Sequence, residues 1–260
     1  MTWAFRRQLI YIAILIVFFG GLGFWIGYPH FNKPATCTDG KQNGDETGVD
    51  CGGSCQLACV ADTDELKVLW SRSFQVVPGR YNAVAYIENK NKTAALNSIK
   101  YRFRFADNNN IYIGKREGEI SIPTAGKYAI FEPAIDLGSS VPVYTSFEFL
   151  EKPIWVQVPE ERIKQAKVTV SSIELTNEES SPVLEAKISN TSLFTLPRVD
   201  VIALLYDENG NALSASRTYF DKMRPEESVQ ATFTWPEPLV KQVVSKEIIP
   251  MWNMFNMQVK

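Results

Sequence analysis

The residues most able to do chemistry stand together near the start of the chain. Cys37, Cys51, Cys55 and Cys59 are its four cysteines, in the stretch Cys37-TDGKQNGDETGVD-Cys51-GGS-Cys55-QLA-Cys59. A segment this short cannot bury a core of its own, and two disulfides are the usual remedy in an exported protein. Four cysteines permit three pairings, and spacing does not choose among them. Four thiolates could instead chelate zinc, although an oxidising exterior works against that. The same stretch crowds oxygen ligands: Asp39, Asn43, Asp45, Glu46 and Asp50, with Gly40, Gly44 and Gly48 permitting tight turns. Calcium takes six to eight oxygens from such loops, with Asp39, Asn43, Asp45 and Asp50 as its candidate ligands here. The spacing is not that of an EF-hand. The plainer reading is a polar loop whose Asx side chains cap its own backbone. Apart from that possible calcium, no cofactor is expected.

Elsewhere the means for catalysis are missing. The single histidine, His30, follows Pro29 and has no partner at triad spacing. No glycine loop of the phosphate-cradling kind is present. Glu160/Glu161, Glu178/Glu179 and Glu226/Glu227 are carboxylate pairs in turn-like, polar stretches, where a glycosidase would need two groups facing across a cleft. Asn91-Lys92-Thr93 and Asn190-Thr191-Ser192 fit glycosylation sequons and read as turn residues. The chain is expected not to be an enzyme. A net charge of −2 with no basic block gives nucleic acid nothing to bind.

The cysteine segment needs something to hold it outside a cell, and the N-terminus supplies it. From Leu9 to Tyr28 the sequence LIYIAILIVFFGGLGFWIGY carries no charge. At about 1.5 Å per residue those positions reach roughly 30 Å, the depth of a bilayer's hydrocarbon core. Arg6 and Arg7 precede the run, and the next charge is Lys33. That bias places the N-terminus in the cytoplasm and the rest outside. A cleaved signal peptide would be shorter and end in a small-residue site; GYPHFNKP is not one. Cys37 lies too far along to be a lipoprotein cysteine. Gly23 and Gly27 form a Gly-x-x-x-Gly pair through which two such helices could pack into an oligomer. Residues 33–65 set seven acids against two lysines, so the negative charge is local.

Past Asp62 the texture is β. Ile99, Tyr101, Phe103 and Phe105 alternate with Lys100, Arg102 and Arg104. Val229, Ala231, Phe233 and Trp235 alternate with Gln230, Thr232 and Thr234, and Val199, Val201, Ala203 and Leu205 form a third apolar face opposite Asp200. The halves look duplicated. Ile87-Glu88-Asn89 matches Ile188-Ser189-Asn190, and Asp107-Asn108-Asn109-Asn110 matches Asp207-Glu208-Asn209-Gly210. Phe131 is set against Phe233, and Pro153-Ile154-Trp155 against Pro250-Met251-Trp252, all at offsets near 100. The expectation is an all-β chain of two tandem Ig-like antiparallel sandwiches behind one transmembrane helix and a disulfide-rich linker. Its boundaries are 1–30, 31–65, 66–158 and 168–258. The stretch 158–167 is a polar joint, the two copies make a rod, and Trp70, Trp155, Trp235 and Trp252 are core rings.

Two resemblances attach to these residues. The string from Cys37 to Cys55, C-x-D-G-x-x-N-G-D-E-T-x-x-D-C-G-G-x-C, resembles a short cysteine module of exported and surface-attached bacterial proteins. It departs from that module in the three residues between Cys55 and Cys59, where two are commoner. Leu204-Leu205-Tyr206-Asp207 with Gly210, followed by Pro225-Glu226, is similar to small bacterial Ig-like domains with an F-x-L-Y-D signature, akin to late-embryogenesis-abundant and CARDB-type sandwiches. The first copy keeps Phe105-Ala106-Asp107 without the tyrosine and the glycine. The resemblances imply a structural or binding module on a bacterial surface. The expected partners are the membrane and other envelope proteins or surface polymers, which an edge strand could bind. The alternatives are a subunit of a secretion or pilus-like assembly and an enzyme with an unrecognised site.

Overall fold

The computed structural model describes residues 3–31 and 36–259, and the chain divides into two compact units, Met1–Ser54 and Cys55–Lys260. In the first unit, helix α1 runs Trp3–Phe31. It is apolar on all sides rather than along one stripe. Every side chain from Ile10 to Ile26 is exposed, Val17 by 75% and Trp25 by 76%. Among the described residues no helix is long and apolar enough to cross a membrane. The Arg7 guanidinium lies over the Trp3 ring, 4.2 Å from its centroid.

The second unit is all antiparallel β apart from one 3₁₀ turn (Val60–Asp62) and the six-residue helix α2 (Glu160–Gln165). The first sandwich comprises β1 (Lys67–Val77), β2 (Arg80–Asn89), β3 (Ala94–Ala106), β4 (Tyr112–Ile122), β5 (Gly126–Asp136), β6 (Tyr144–Phe149) and β7 (Trp155–Gln157). The second comprises β8 (Val168–Thr176), β9 (Val183–Asn190), β10 (Phe194–Thr195), β11 (Val199–Tyr206), β12 (Ala212–Phe220), β13 (Ser228–Thr234), β14 (Ser245–Trp252) and β15 (Gln258–Val259). Sheet β1-β2-β5 packs on β4-β3-β6, with β7 beside the start of β3. Sheet β8-β9-β13 packs on β12-β11-β14, with β15 beside β10. The strand order is the same in both.

The two sandwiches are not laid end to end as a rod. Phe74, Val84, Tyr86 and Phe131 of the first interdigitate with Ile202, Leu204, Ala215, Ile249 and Met251 of the second in a third apolar cluster. Sheet β1-β2-β5 therefore lies face to face with β12-β11-β14, giving four layers and three cores. The central strands show why. Ala83 to Ile87 in β2, and Val201 to Leu205 in β11, are buried without interruption. A strand covered on both faces must be apolar at odd and even positions alike. Ile202 and Leu204, on the side of β11 that Asp200 marks as polar in the sequence, fill the seam.

The duplication extends to individual hydrogen bonds. Asp107 Oδ1 accepts the N–H groups of Asn109 and Ile111 at 2.9 and 2.8 Å; Asp207 Oδ1 accepts those of Asn209 and Asn211 at 3.0 and 2.8 Å. Where the second copy has Gly210 (φ 73°), the first has Asn110 at φ 62°. Asparagine tolerates the left-handed conformation, so the missing glycine costs the first hairpin little. Asn89 and Asn190 are likewise equivalent, at 1% and 0% exposure. Each accepts the N–H two residues on through Oδ1 and donates Nδ2 to carbonyls of two separate segments.

Two of the sequence landmarks are displaced. Ile130 opposes Ala85 as Ala231 opposes Ala186, so Phe131, on the next residue, faces the seam while Phe233 faces its own core. Trp155 lies on β7 and Trp252 on β14, which are not equivalent strands. The joint at 158–167 is not merely polar either. It holds α2, whose Ile163 packs with buried Val158 and Ala166 onto the second core. Trp155 and Trp235 are buried core rings; Trp70 and Trp252 are partly buried.

Candidate functional site

All four cysteines are in disulfide bonds. In the loop before Ser54 the acidic oxygens are turned onto the loop itself. Both Asp50 oxygens receive Gly40 N–H at 3.0 and 3.1 Å. Asp39 accepts from Lys41 N–H and, at 2.8 Å, from the Asn43 amide, and Glu46 accepts Asn43 N–H. Asp45 accepts the Ser54 hydroxyl at 2.7 Å, which holds its carboxyl below the usual range. Gly52 (φ 76°) and Gly53 (φ 56°) are held tightly there, since a Cβ at either would collide with Thr47 or with the Asp45 carbonyl. Of the four candidate calcium ligands, Asp39 and Asn43 are thus joined directly, while Asp45 and Asp50 serve separate partners.

The remaining candidates are scattered. A Cβ at Gly20, Gly21 or Gly23 would meet nothing within 4 Å; the surroundings of Gly27 and the side chain of His30 lie outside the described residues. Glu160 and Glu161 are exposed on α2, and Glu160 pairs with Lys164 four residues on. Glu226 is exposed, and Glu227 caps Arg224 N–H. The sequon asparagines Asn91 and Asn190 are buried with their amides engaged, so neither offers its nitrogen to a glycan in the folded chain.

Two carboxylate networks, one buried and one half-buried, escape the sequence reading. Glu132 is 8% exposed; its Oε1 accepts the Tyr101 hydroxyl at 2.7 Å and its Oε2 the Arg116 Nε–H at 2.9 Å. Burial first, and then the bond to Glu132, pushes the Tyr101 phenol well above its ordinary value. Gly118 makes room for the pair, because a Cβ there would run into the Tyr101 hydroxyl and lie 2.7 Å from Glu132 Oε1. In the seam, Glu247 accepts Tyr86 at one oxygen and Tyr206 at the other. Glu247 follows Lys246 at the head of KEIIPMW, whereas Glu132 is the one charge in the otherwise apolar YAIFEPAI. A carboxylate cannot be buried there without partners.

At one end of the seam the sandwiches part around a cavity of about 370 Å³, lined by Tyr101, Phe131, Arg198, Asp200, Arg217, Trp252 and neighbours. Asp200 is taken by Arg198, whose Nε and Nη2 reach its two oxygens at 3.0 and 3.2 Å while its guanidinium stacks on Tyr219. The Arg217 guanidinium lies 5.6 Å from the Phe131 centroid and no nearer than 4.0 Å to Asp200. Among the described residues the Trp252 indole N–H is buried with no hydrogen-bond partner. Such an orphan donor costs about 1–3 kcal/mol. A smaller cavity of about 250 Å³ opens at another part of the seam beside Trp235, whose N–H also lacks a partner among the described residues.

A different kind of surface ends the first sandwich. Ile111, Tyr112, Val141, Val143 and Tyr144 are all more than half exposed. Tyr112 and Tyr144 flank Ala106 across adjacent strands. With Arg104 and Asn110 they line a shallow depression of about 580 Å³. Exposed aromatic and branched residues gathered in this way mark interaction surfaces.

The fold defines an all-β chain of two docked sandwiches. No family model matches it, and no curated protein does. Among solved structures it is distantly similar to a red sea bream transglutaminase: 11% identity, 74% of this chain, 30% of that one, TM-score 0.24. A putative β-galactosidase from Bacteroides fragilis gives 13% identity over 70% of this chain and 34% of that one, TM-score 0.23. A Bacteroides uniformis β-glucuronidase gives 10% over 68% and 26%, TM-score 0.22. The chain spans about a third of each or less, and likenesses this distant say nothing of what it does.

Proposed function

We propose that the chain is a membrane-tethered binding protein without catalytic activity. In this reading α1 crosses the bilayer with its N-terminus in the cytoplasm. The disulfide segment and the docked sandwiches stand on the far side, where they meet proteins or surface polymers. One observation carries it: the charge-free run Leu9–Tyr28, whose described side chains, Ile10–Ile26, all lie exposed. That much apolar surface in water would drive aggregation, whereas in lipid it needs no cover.

Other features support the same reading. Arg6 and Arg7 bias the orientation, and disulfides persist in oxidising compartments. The Glu132 and Glu247 carboxylates are held by tyrosines and an arginine in closed networks, an arrangement suited to fixing sheets in place rather than to moving protons. The Tyr112/Tyr144 end offers exposed aromatic rings to a partner. Alkaline carbonate extraction of membranes from cells expressing the chain tests the tether: it is expected in the pellet, and recovery in the supernatant would refute the reading.

A further inference from the structure

We infer that the exposed end of the first sandwich binds an extended, acidic polysaccharide with the β-linkages of cellulose, alternate sugar rings lying on Tyr112 and Tyr144. The inference rests on the reading of the chain as a binding protein and does not depend on the membrane tether.

Strand geometry fixes the spacing of the rings. Tyr112 on β4 and Tyr144 on β6 are both opposite Ala106 on β3. They therefore stand in one row across the sheet, two strand spacings or about 10 Å apart. Phe105, next to Ala106, lies in the core, so Ala106 and the residues opposite it share the outer face. The two tyrosines are 59% and 54% exposed, and the small alanine leaves the gap between them open. In an extended β-linked chain each sugar is rotated half a turn from the last, so every second ring shows the same face. The two-sugar repeat of such a chain matches the distance between the tyrosines. The C–H face of a sugar ring is apolar and packs on an aromatic one.

Charge selects an acidic polymer. Arg72 and Arg104 line the depression beside the tyrosines, and no carboxylate is among its lining residues. Arg104 shares Glu148 with Arg102, which in turn shares Glu117 with Lys115. Arg72 is exposed and donates only to the Ala212 carbonyl and the Asn211 side chain, both neutral, so its charge is not cancelled. Even counting Asp107, whose carboxylate is bonded into its own hairpin, the cations outnumber the carboxylates. Asn110 and Ser146, both exposed in the same depression, bring polar groups within reach of sugar hydroxyls. Open to solvent along its length, the depression admits a chain that continues past it.

The test is calorimetric titration of the full chain in lipid nanodiscs with β-linked hexaglucuronate, cellohexaose and hexagalacturonate. Cellohexaose has the same linkage without the charge; hexagalacturonate has the charge on a buckled, α-linked chain. Hexaglucuronate is expected to bind at least about 10-fold more tightly than either, and its advantage over cellohexaose should shrink as salt is raised. The β-linked disaccharide, too short to reach both rings, is expected to bind at least about 10-fold more weakly than the hexamer. Tyr112→Ala and Tyr144→Ala should each weaken hexaglucuronate binding about 10-fold while melting with the unaltered protein. The comparison of lengths stands even where a variant fails to fold. Equal affinity for the two linkages, equal affinity for disaccharide and hexamer, unchanged affinity in the folded variants, or no binding up to about 10 mM would each overturn the proposal. A chain that binds none of the sugars yet stays in the carbonate pellet loses this proposal and keeps the tether.

Discussion

Tyr86 and Glu247 meet across the seam, the phenol of the first sandwich donating a 2.6 Å hydrogen bond to the carboxylate of the second. Tyr206 donates to the other oxygen at 2.9 Å, and Tyr86 stacks on Trp70 with centroids 5.4 Å apart. Around this point Arg72 reaches Ala212 O and Asn211, and Asn82 reaches Ala215 O. One carboxylate thus ties two sheets that belong to different sandwiches.

Glu247→Leu should therefore cost more than its own burial suggests. It strands two phenols at once, and bonds to a charged acceptor contribute about 1.5–3 kcal/mol each. A loss of about 3 kcal/mol is expected in urea unfolding. In the double-mutant cycle, Tyr86→Phe should cost much less in the Glu247→Leu background than alone. Additive effects would show that the bond is not a lock.

Alkali should weaken the fold through the same groups. The phenols of Tyr86, Tyr101, Tyr128 and Tyr206 are all raised, in each case chiefly by burial. Their folded-state value lies above that of the unfolded chain, about 10. The stability this represents is complete below that pH and is lost as pH rises through it. Denaturant midpoints are expected to hold steady from neutrality to about pH 9 and to fall beyond about pH 10. A midpoint that rises there would contradict the assignment.

Asn190→Ala should be among the most damaging single changes. The amide donates to Phe194 O, Met223 O and Arg224 O and accepts from the N–H and hydroxyl of Ser192, all at a fully buried site. Removing it strands several backbone carbonyls. The expected loss exceeds about 3 kcal/mol, while Thr191→Ala, at the exposed residue next to it, stays within about 1 kcal/mol. Thermal melting of the two variants side by side checks it.

Reduction and chelation should act differently on the cysteine segment. Its acidic oxygens already serve backbone and side-chain donors, and all four cysteines are bonded. EDTA is expected to leave its proteolysis pattern unchanged. Dithiothreitol should open it to cleavage, because removing such bonds typically costs about 2–5 kcal/mol. Protection lost with EDTA alone would favour a calcium-dependent loop.

The strands, the antiparallel order and the Asp107/Asp207 hairpins are legible because each is written in local pattern: alternation, or an Asx residue before a left-handed position. The docking of the sandwiches is not. Its signal is the uninterrupted burial of Ala83–Ile87 and Val201–Leu205, which by sequence alone looks like an ordinary core strand. Phe131 and Phe233 match in identity and offset but not in strand register, and a one-residue slip turns a side chain to the opposite face. The cavity at Arg217 depends on residues from both sandwiches, so no local stretch of sequence contains it.

Protease accessibility bears most directly on the tether and its orientation. Intact spheroplasts expressing the chain with a cytoplasmic N-terminal tag and a C-terminal tag would be treated with protease before lysis. The expected result is loss of the C-terminal tag and survival of the N-terminal one in the membrane fraction. A C-terminal tag that is protected until the cells are broken would contradict it.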